Sequence, residues 1–225
     1  MSAGIRLLVA VLAVSAALAP LPSSAATLIH AGRVIDGVSE RVLSERTLVI
    51  DGGRIVAIEP GFRAPGVGDT VIDLRGSTLM PGLMDMHVHL TSEYSRSSAG
   101  DAFRKNGTDV ALDGAMFAKR TLMAGFTTVR DLGTEGAGNA DVGLKRAINE
   151  GHVPGPRMII ATRALVAPGS YAPKNDAWAV PQGAEEADGP NLVSAVRRQI
   201  GAGADVVKLY GDYRWRPGEG SRPTY

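Results

Sequence analysis

The sequence predicts an α/β protein in which a small β-rich unit precedes a region of alternating strands and helices. Two observations support this prediction. Residues 27–79 contain short β-branched runs separated by glycine-containing turns, and from residue 80 onward apolar strand-like runs alternate with helical stretches. Because this alternation is typical of parallel sheets with helical crossovers, we expect a parallel sheet in the second region.

Residues 1–26 show the order of regions found in a secretory signal peptide. Arg6 precedes an apolar stretch over residues 7–18, and two prolines then lead into the small residues 23–26. We expect cleavage near Ala25 or Ala26 and export to a periplasm or the medium, with no membrane attachment after cleavage. The chain has no cysteine, so the fold has no disulfides and any metal would be held by nitrogen and oxygen ligands.

Residues 27–79 are predicted to form the N-terminal part of a small β domain. The runs 47–50 and 54–58 flank Asp51-Gly52-Gly53, and an Asp-Gly pair between two such runs is a strong hairpin signal. A further strand is predicted at 71–74, ending at Arg75-Gly76, with a loop between the last two strands.

Residues 80–225 are predicted to form the strand–helix region. Helical spacing, β-branched runs and glycine stops define its elements. They are a strand within 80–90, a helix at 109–124, a strand at 126–131, a helix at 142–150, a strand at 157–161, a helix at 191–202 and a strand at 205–210.

The connection from Ala164 to Pro190 is long for a turn between a strand and a helix. Connections of more than about 12–15 residues are usually functional lids or disordered segments. This one carries Tyr171 and Trp178. We therefore expect a loop that covers a substrate, with Tyr171 as a candidate contact, and disorder is the alternative.

His87 and His89 lie two residues apart in an apolar run that begins after Pro81-Gly82. Side chains at i and i+2 of a strand point to the same face, about 6–7 Å apart. Two polar residues on a half-exposed strand would be the simpler interpretation. However, apolar residues dominate this run, and two imidazoles on a buried strand need partners, of which a metal ion is the most common.

Lys208 lies inside the apolar run Val206–Tyr210, where a charged ammonium is costly. Its side chain could extend to water from a strand end. Alternatively, burial could lower the pKa of the amine, which would then react with carbon dioxide to form an anionic carbamate ligand.

Charge and composition narrow the classes of partner. The 24 basic side chains almost balance the 23 acidic ones, and aromatic residues are few. We therefore expect no nucleic-acid partner.

Four stretches together resemble the amidohydrolase superfamily. They are 79–90 with its Pro-Gly-x-x-Asp-x-His-x-His string, 127–131, 155–157 and 203–208. The similarity is greatest to the imidazolonepropionase-like and Xaa-Pro dipeptidase-like branch and runs from about Thr27 to the last residue. Residues 169–171 and 208–215 resemble the exported metal-dependent dipeptidases of that branch.

The resemblance implies a (β/α)8 TIM barrel with a small composite β-sandwich domain. It implies two divalent metal ions, expected to be Zn²⁺, with His87 and His89 on the more buried ion and Lys208 as a bridging carboxylysine. A hydroxide between the two ions would attack the amide carbonyl. Tyr210, Tyr213 and Arg214 are candidates to bind a substrate carboxylate, although Arg214 could equally be an ordinary solvated loop residue.

The chain departs from the family pattern in its length. The superfamily also requires histidines after strands 5 and 6 and an aspartate at strand 8, and no histidine follows His152. Residues 81–225 are 145 residues, whereas a barrel typically has about 250. We expect the first four βα units of a longer enzyme, no identifiable catalytic residue in this chain, and little or no hydrolase activity from it alone. Open sheet edges would then favour association, including a possible homo-oligomer.

Three functions remain open. The first is an exported dipeptidase or prolidase-like enzyme acting on a small peptide or amide with a free carboxylate. The second is a hydrolase of cyclic amides or lactones. The third is a non-catalytic exported fragment that binds one metal weakly or pairs with a separate polypeptide.

Overall fold

The computed structural model describes residues 25–93, 95, 104–170, 183–213 and 220–223. The chain forms two compact units, one ending at Pro81 and the other beginning at Gly82. The signal-peptide prediction falls almost entirely on residues 1–24, which lie outside the described residues.

The first unit is one four-stranded sheet. Its strands are β1 (Thr27–Val34), β2 (Leu43–Asp51), β3 (Arg54–Pro60) and β4 (Thr70–Leu79), in the order β3-β2-β1-β4. β1 and β3 run antiparallel to β2, and β4 runs parallel to β1. Apolar side chains of β1 and β2, with Leu28 fully buried, form its core.

The predicted hairpin is confirmed. Asp51 pairs with Arg54, and Gly52 and Gly53 have φ angles of 53° and 73°. Both central positions therefore need the left-handed backbone that glycine adopts without steric cost.

β4 is longer than predicted, because the expected end at Arg75-Gly76 is an irregularity within the strand. The pairing with β1 shifts register here, and β4 then continues to Leu79. Gly32 faces this point, and a Cβ on it would lie 2.1 Å from the carbonyl oxygen of Arg75. The close approach of the two backbones requires glycine at position 32.

The second unit contains the predicted parallel sheet, and its strand–helix alternation is confirmed. β5 (Leu83–Val88), β6 (Phe126–Asp131) and β7 (Arg157–Ile160) are parallel and adjacent in that order. Three helices cover or follow them: α1 (Gly107–Met123), α2 (Ala140–Asn149) and α3 (Gly189–Ala202). The main core consists of Leu90, Ala118, Val129, Leu144, Met158 and Ile160.

Helix ends follow local sequence signals. The Asn106 side chain accepts the N–H groups of Thr108 and Asp109, and the Asp109 carboxylate accepts the Asn106 N–H, which together form a capping box. At the end of α3, Gly203 has a φ of 117°, as expected for a glycine that stops a helix.

The long connection contains strands that were not predicted. β8 (Ala164–Val166) pairs in parallel with β9 (Ala184–Glu186), while residues 171–182 between them lie outside the described residues. Near the end of the chain, β10 (Asp212–Tyr213) and β11 (Arg222–Pro223) form a short antiparallel pair.

The prediction of a strand at 205–210 is wrong. This segment runs beside residues 160–165, with the Leu165 N–H donating to the Lys208 carbonyl at 2.8 Å, but it contributes only an isolated bridge at Leu209. Thr162 has a φ of 59°, which turns the neighbouring chain between β7 and β8. A continuous ladder of hydrogen bonds cannot form beside such a turn.

The expectation that β5 is buried is also wrong for the described residues. Leu83 and Met84 are 45% and 68% exposed, because β5 is the edge strand of the described sheet and has only β6 beside it. The described sheet has three parallel strands, and the described residues do not form the closed barrel that the resemblance implies. None of the described helices is long and apolar enough to cross a membrane.

Candidate functional site

The carboxyl end of β5 brings the two predicted histidines together. His87 is the penultimate residue of β5, and His89 follows the strand directly. Their ring centroids are 5.5 Å apart, with the planes inclined at 61°. The predicted pair therefore lies on one side of the sheet edge, with the two rings close enough to share one small ligand.

His89 is fixed by a backbone contact to the segment that follows β6. Its Nδ1 lies 2.9 Å from the carbonyl oxygen of Gly133 and 3.3 Å from Oε1 of Glu135. A carbonyl oxygen only accepts, so Nδ1 must carry the proton of this hydrogen bond. In the neutral ring, Nε2 then keeps its lone pair and can act as a ligand atom.

Asp131, the last residue of β6, is a fully buried carboxylate beside this contact. Its Oδ2 accepts the N–H of Leu90 at 3.0 Å, and its Oδ1 accepts the N–H of Gly133 at 3.1 Å. Burial raises the pKa of Asp131 to about 6, and the two backbone hydrogen bonds act in the opposite direction. This carboxylate thus connects the residue after His89 to the residue that binds the His89 ring.

The surroundings of His87 favour the neutral form of its ring. Desolvation is the largest effect that lowers the pKa of His87, followed by the positive charges of Lys208, His89 and Arg130. A neutral imidazole is the form that can bind a metal ion. Among these charges, that of Lys208 has the largest effect on the pKa of His87.

Lys208 is half-buried in the segment beside β8. Its Nζ lies 5.0 Å from the centroid of the Tyr210 ring, which itself packs against the apolar residues of β8 and β9. Lys208 and Tyr210 are therefore neighbours, as the sequence positions suggested.

The structure does not describe the side chains of the other residues that were predicted to contact a substrate. Tyr171 and Arg214 lie outside the described residues. Tyr213 is described through its backbone, which pairs with Arg222 in the β10–β11 ribbon.

The donor set fits the first part of a metal site. Two imidazoles converge at one strand end, Nε2 of His89 has a free lone pair, and a lysine that could carry a carbamate acts on His87. Within the described part of the chain, no group of three or more His, Cys, Asp or Glu side chains is arranged to hold a metal ion. A complete site would therefore need the lysine carbamate and ligands beyond these residues.

Sequence reasoning missed the residues that support the histidines: Asp131, Gly133 and Glu135. A signal for Asp131 was present, because it is a charged residue at the carboxyl end of a predicted parallel strand. Polar side chains at that edge of a parallel sheet commonly belong to a site. The roles of Gly133 and Glu135 depend on a loop conformation that has no pattern in the sequence.

Comparison with known proteins identifies a family whose model matches the part of the chain that contains the candidate site. Residues 78–220 match the model described as the amidohydrolase family. This stretch contains His87, His89 and Lys208 and covers more than half of the chain.

Individual relatives cover smaller parts. An adenine deaminase from Chelativorans sp. (strain BNC1) is 38% identical over 82 residues, which are 36% of this chain and 14% of that protein. An imidazolonepropionase from Arthrobacter sp. (strain FB24) is 38% identical over 76 residues, which are 31% of this chain and 19% of that protein.

A solved structure of a Xaa-Pro dipeptidase with methionine bound in its active site resembles the fold over most of the chain. The TM-score is 0.71 and the sequence identity 37%, and the match covers 82% of this chain and 47% of that one. The chain thus spans less than a fifth of the two curated relatives and about half of the dipeptidase.

Proposed function

The chain belongs to the amidohydrolase family, and from this premise we propose that it supplies the first ligands of a site that hydrolyses peptide-like amide bonds with divalent metal ions. Members of this family are hydrolases that act on C–N bonds. The observation that carries the proposal is the convergence of His87 and His89 at the end of β5, with Lys208 close enough to act on His87.

In the proposed site, His87, His89 and a carboxylated Lys208 would hold two cations, with Zn²⁺ as the expected metal in both positions. When bound, the two ions would polarise the amide carbonyl and lower the pKa of a bound water. The protein residues have separate tasks. The histidines bind as neutral imidazoles, and the lysine carbamate supplies an anionic oxygen in place of an ammonium that would repel the metal.

The proposed substrate is a dipeptide with a free carboxylate. Support comes from the dipeptidase structure, which is 37% identical over 82% of this chain. Tyr171, Tyr210, Tyr213 and Arg214 are proposed to bind the substrate, and the Arg214 guanidinium would pair bidentately with its carboxylate. Hydrolysis would break the C–N bond, with water adding a hydroxyl to the carbonyl carbon and a proton to the leaving amine.

A cyclic amide is the second candidate substrate. It is supported by the imidazolonepropionase that is 38% identical over 76 residues. That match covers a smaller part of the chain than the match to the dipeptidase does. We place it second for that reason.

Export is proposed from the N-terminal residues alone. The order of Arg6, an apolar stretch, two prolines and small residues is that of a secretory signal peptide. The proposed site of action is therefore a periplasm or the medium.

The test is hydrolysis by the whole protein that contains this chain, purified, loaded with Zn²⁺ in bicarbonate buffer and assayed on a panel of dipeptides and cyclic amides. We expect release of an amine from dipeptides, including Xaa-Pro substrates. His87→Ala should lower kcat/KM at least 100-fold. The matched control is His152→Ala, because His152 is an exposed histidine paired with Glu150 outside the candidate site.

Two results would contradict the proposal. Unchanged dipeptide hydrolysis in His87→Ala would remove His87 from the metal site. Hydrolysis of cyclic amides without cleavage of dipeptides would favour the second candidate.

A further inference from the structure

We propose that Asp131 is a positioning residue for His89: its buried carboxylate holds the imidazole in the orientation and tautomer that leave Nε2 free to bind a metal ion. This inference rests on the proposed metal site. It assigns a task to a residue that is too deeply buried to contact a substrate or a metal itself.

The contacts form a closed ring of hydrogen bonds. One carboxylate oxygen of Asp131 accepts the N–H of Leu90, the residue after His89, at 3.0 Å, and the other accepts the N–H of Gly133 at 3.1 Å. The carbonyl oxygen of Gly133 in turn lies 2.9 Å from Nδ1 of His89. His89 is therefore held twice by the same carboxylate, once through its own backbone and once through its ring.

The ring of contacts needs a carboxylate at its centre. Both partners of Asp131 are N–H donors, so both of its side-chain oxygens must accept. An asparagine would present its NH₂ group to one of these donors, leaving a buried N–H without an acceptor. The loop at Gly133 would then move, and the Nδ1–H of His89 would lose its fixed partner.

Burial strengthens the argument for a rigid arrangement. Asp131 and Thr134 are fully buried, and Leu90 is 5% exposed. The Leu132 N–H donates to the Val88 carbonyl at 3.0 Å, so the two strand ends are also joined directly. Water therefore has little access with which to replace a lost hydrogen bond.

Asp141 provides a matched control inside the same unit. It is also fully buried, and its two oxygens accept backbone N–H groups, from Val142 at 2.9 Å and from Thr162 at 2.8 Å. Burial raises the pKa of both aspartates to about 6. Asp131 binds the N–H of Gly133, whose own carbonyl contacts His89, whereas Asp141 reaches this loop only through Thr162, whose carbonyl accepts the N–H of Thr134 at 3.1 Å. The two substitutions should therefore resemble each other in their effect on stability, and Asp131→Asn should have the larger effect at His89.

Glu135 offers an alternative explanation for the tautomer of His89. Its Oε1 lies 3.3 Å from Nδ1 of His89 and could set the tautomer in place of the Gly133 carbonyl. Under our proposal Glu135→Gln leaves the tautomer unchanged, because the Gly133 carbonyl still accepts the Nδ1 proton.

The experiment is long-range ¹H–¹⁵N spectroscopy of the histidine rings in the metal-free whole protein at pH 8, with His89 assigned by comparison with His89→Ala. We expect the Nδ1–H tautomer in the wild type, in Asp141→Asn and in Glu135→Gln. In Asp131→Asn we expect a mixture with the Nε2–H form. Calorimetric titration with Zn²⁺ should show at least tenfold weaker binding in Asp131→Asn and unchanged binding in Asp141→Asn.

Several outcomes would overturn the proposal. One is a wild type in the Nε2–H tautomer, which needs no variant and so does not depend on the folding of Asp131→Asn. Others are an unchanged tautomer in Asp131→Asn, a changed one in Glu135→Gln, or an equal loss of zinc affinity in both aspartate variants. Absence of zinc binding by the wild type would count against the proposed function, whereas the tautomer spectra decide the role of Asp131 separately.

Discussion

Lys145 on α2 lies 2.6 Å from each carboxylate oxygen of Asp205, although 60 residues separate them in the sequence. Asp205 also accepts the N–H of Ile160 at 2.8 Å and donates its own N–H to the Ile160 carbonyl at 2.8 Å. These contacts hold the segment that leads to Lys208 against the end of β7. The position of the predicted lysine ligand therefore depends on Asp205.

The substitution Asp205→Asn should destabilise the protein by about 1 kcal/mol at pH 7, a modest figure because the pair is partly exposed. Burial acts to raise the pKa of Asp205, but the hydrogen bonds from Lys145 and Ile160 prevail and lower it below 3.8. The stabilisation is therefore present above about pH 4 and is lost as the pH falls through the folded-state pKa. Urea unfolding of both proteins at several pH values measures this difference.

The control for this experiment is Lys105→Met. Lys105 contacts Asp113 at 2.7 Å with both side chains about one third exposed, and exposed pairs contribute about 0–1 kcal/mol. If Asp205→Asn changed the unfolding free energy no more than Lys105→Met, the fastening role of Asp205 would be wrong.

Asp141 should give the protein a stability that increases on acidification. Burial raises the folded-state pKa of Asp141 from 3.8 to about 6, so between these values the folded protein holds a proton that the unfolded chain has released. Stability therefore rises as the pH falls from about 6 to about 4, by an amount on the order of 3 kcal/mol. Asp141→Asn lacks this titration.

The measurement is the difference in unfolding free energy between wild type and Asp141→Asn from pH 7 to pH 4. We expect the unfolding free energy of the wild type to increase relative to that of Asp141→Asn as the pH falls. A flat difference for Asp141→Asn would mean that its carboxyl group titrates at its ordinary pKa when folded.

Two glycines should respond to alanine in opposite directions. A Cβ at Gly32 would lie 2.1 Å from the backbone oxygen of Arg75, so β1 and β4 would have to separate, at about 2 kcal/mol or more. Gly143 lies inside α2 with no atom within 4 Å of a built Cβ. Gly143→Ala should therefore stabilise by up to about 1 kcal/mol through helix propensity.

Chemical denaturation of the two variants measures these effects. A tolerated Gly32→Ala would show that the irregularity in β4 can relax. A destabilised Gly143→Ala would show that the solvent-facing side of α2 is packed.

Local patterns were sufficient for most of the fold. The Asp51-Gly52-Gly53 turn, the limits of β6 and the glycines after α1 and α3 all follow from residue preferences within a few positions, and the structure matches them. The end of β4 and the segment 205–210 could not be predicted in this way. Both depend on the backbone of another part of the chain: the close approach at Gly32 and the turn at Thr162.

The residues of the candidate site also differ in how far the sequence could predict them. His87, His89 and Lys208 could be found because their residue types stand out in apolar runs. Asp131 received no role, because its partners are backbone N–H groups 41 residues earlier and two residues later. Contacts to the backbone place no requirement on the residue type of the partner, so the sequence does not reveal them.

Lys208→Met should raise the pKa of His87. After desolvation, the positive charge of Lys208 is the largest effect that lowers the pKa of His87, and methionine keeps much of the lysine side-chain volume without the charge. The measurement is the titration of the His87 ring by ¹H NMR in bicarbonate-free buffer without metal. The control is Lys119→Met, which removes an exposed lysine of α1 and should leave this pKa unchanged.

The sign of the shift also reports the chemical state of Lys208. A free ammonium repels the protonated imidazole, so its removal favours protonation and raises the pKa of His87. A carbamate carries negative charge and stabilises the protonated imidazole, so the same substitution would lower that pKa. Repeating the titration in bicarbonate should therefore reverse the difference between wild type and Lys208→Met if carboxylation occurs in this chain. An upward shift of the same size in both buffers would contradict the carboxylysine assignment.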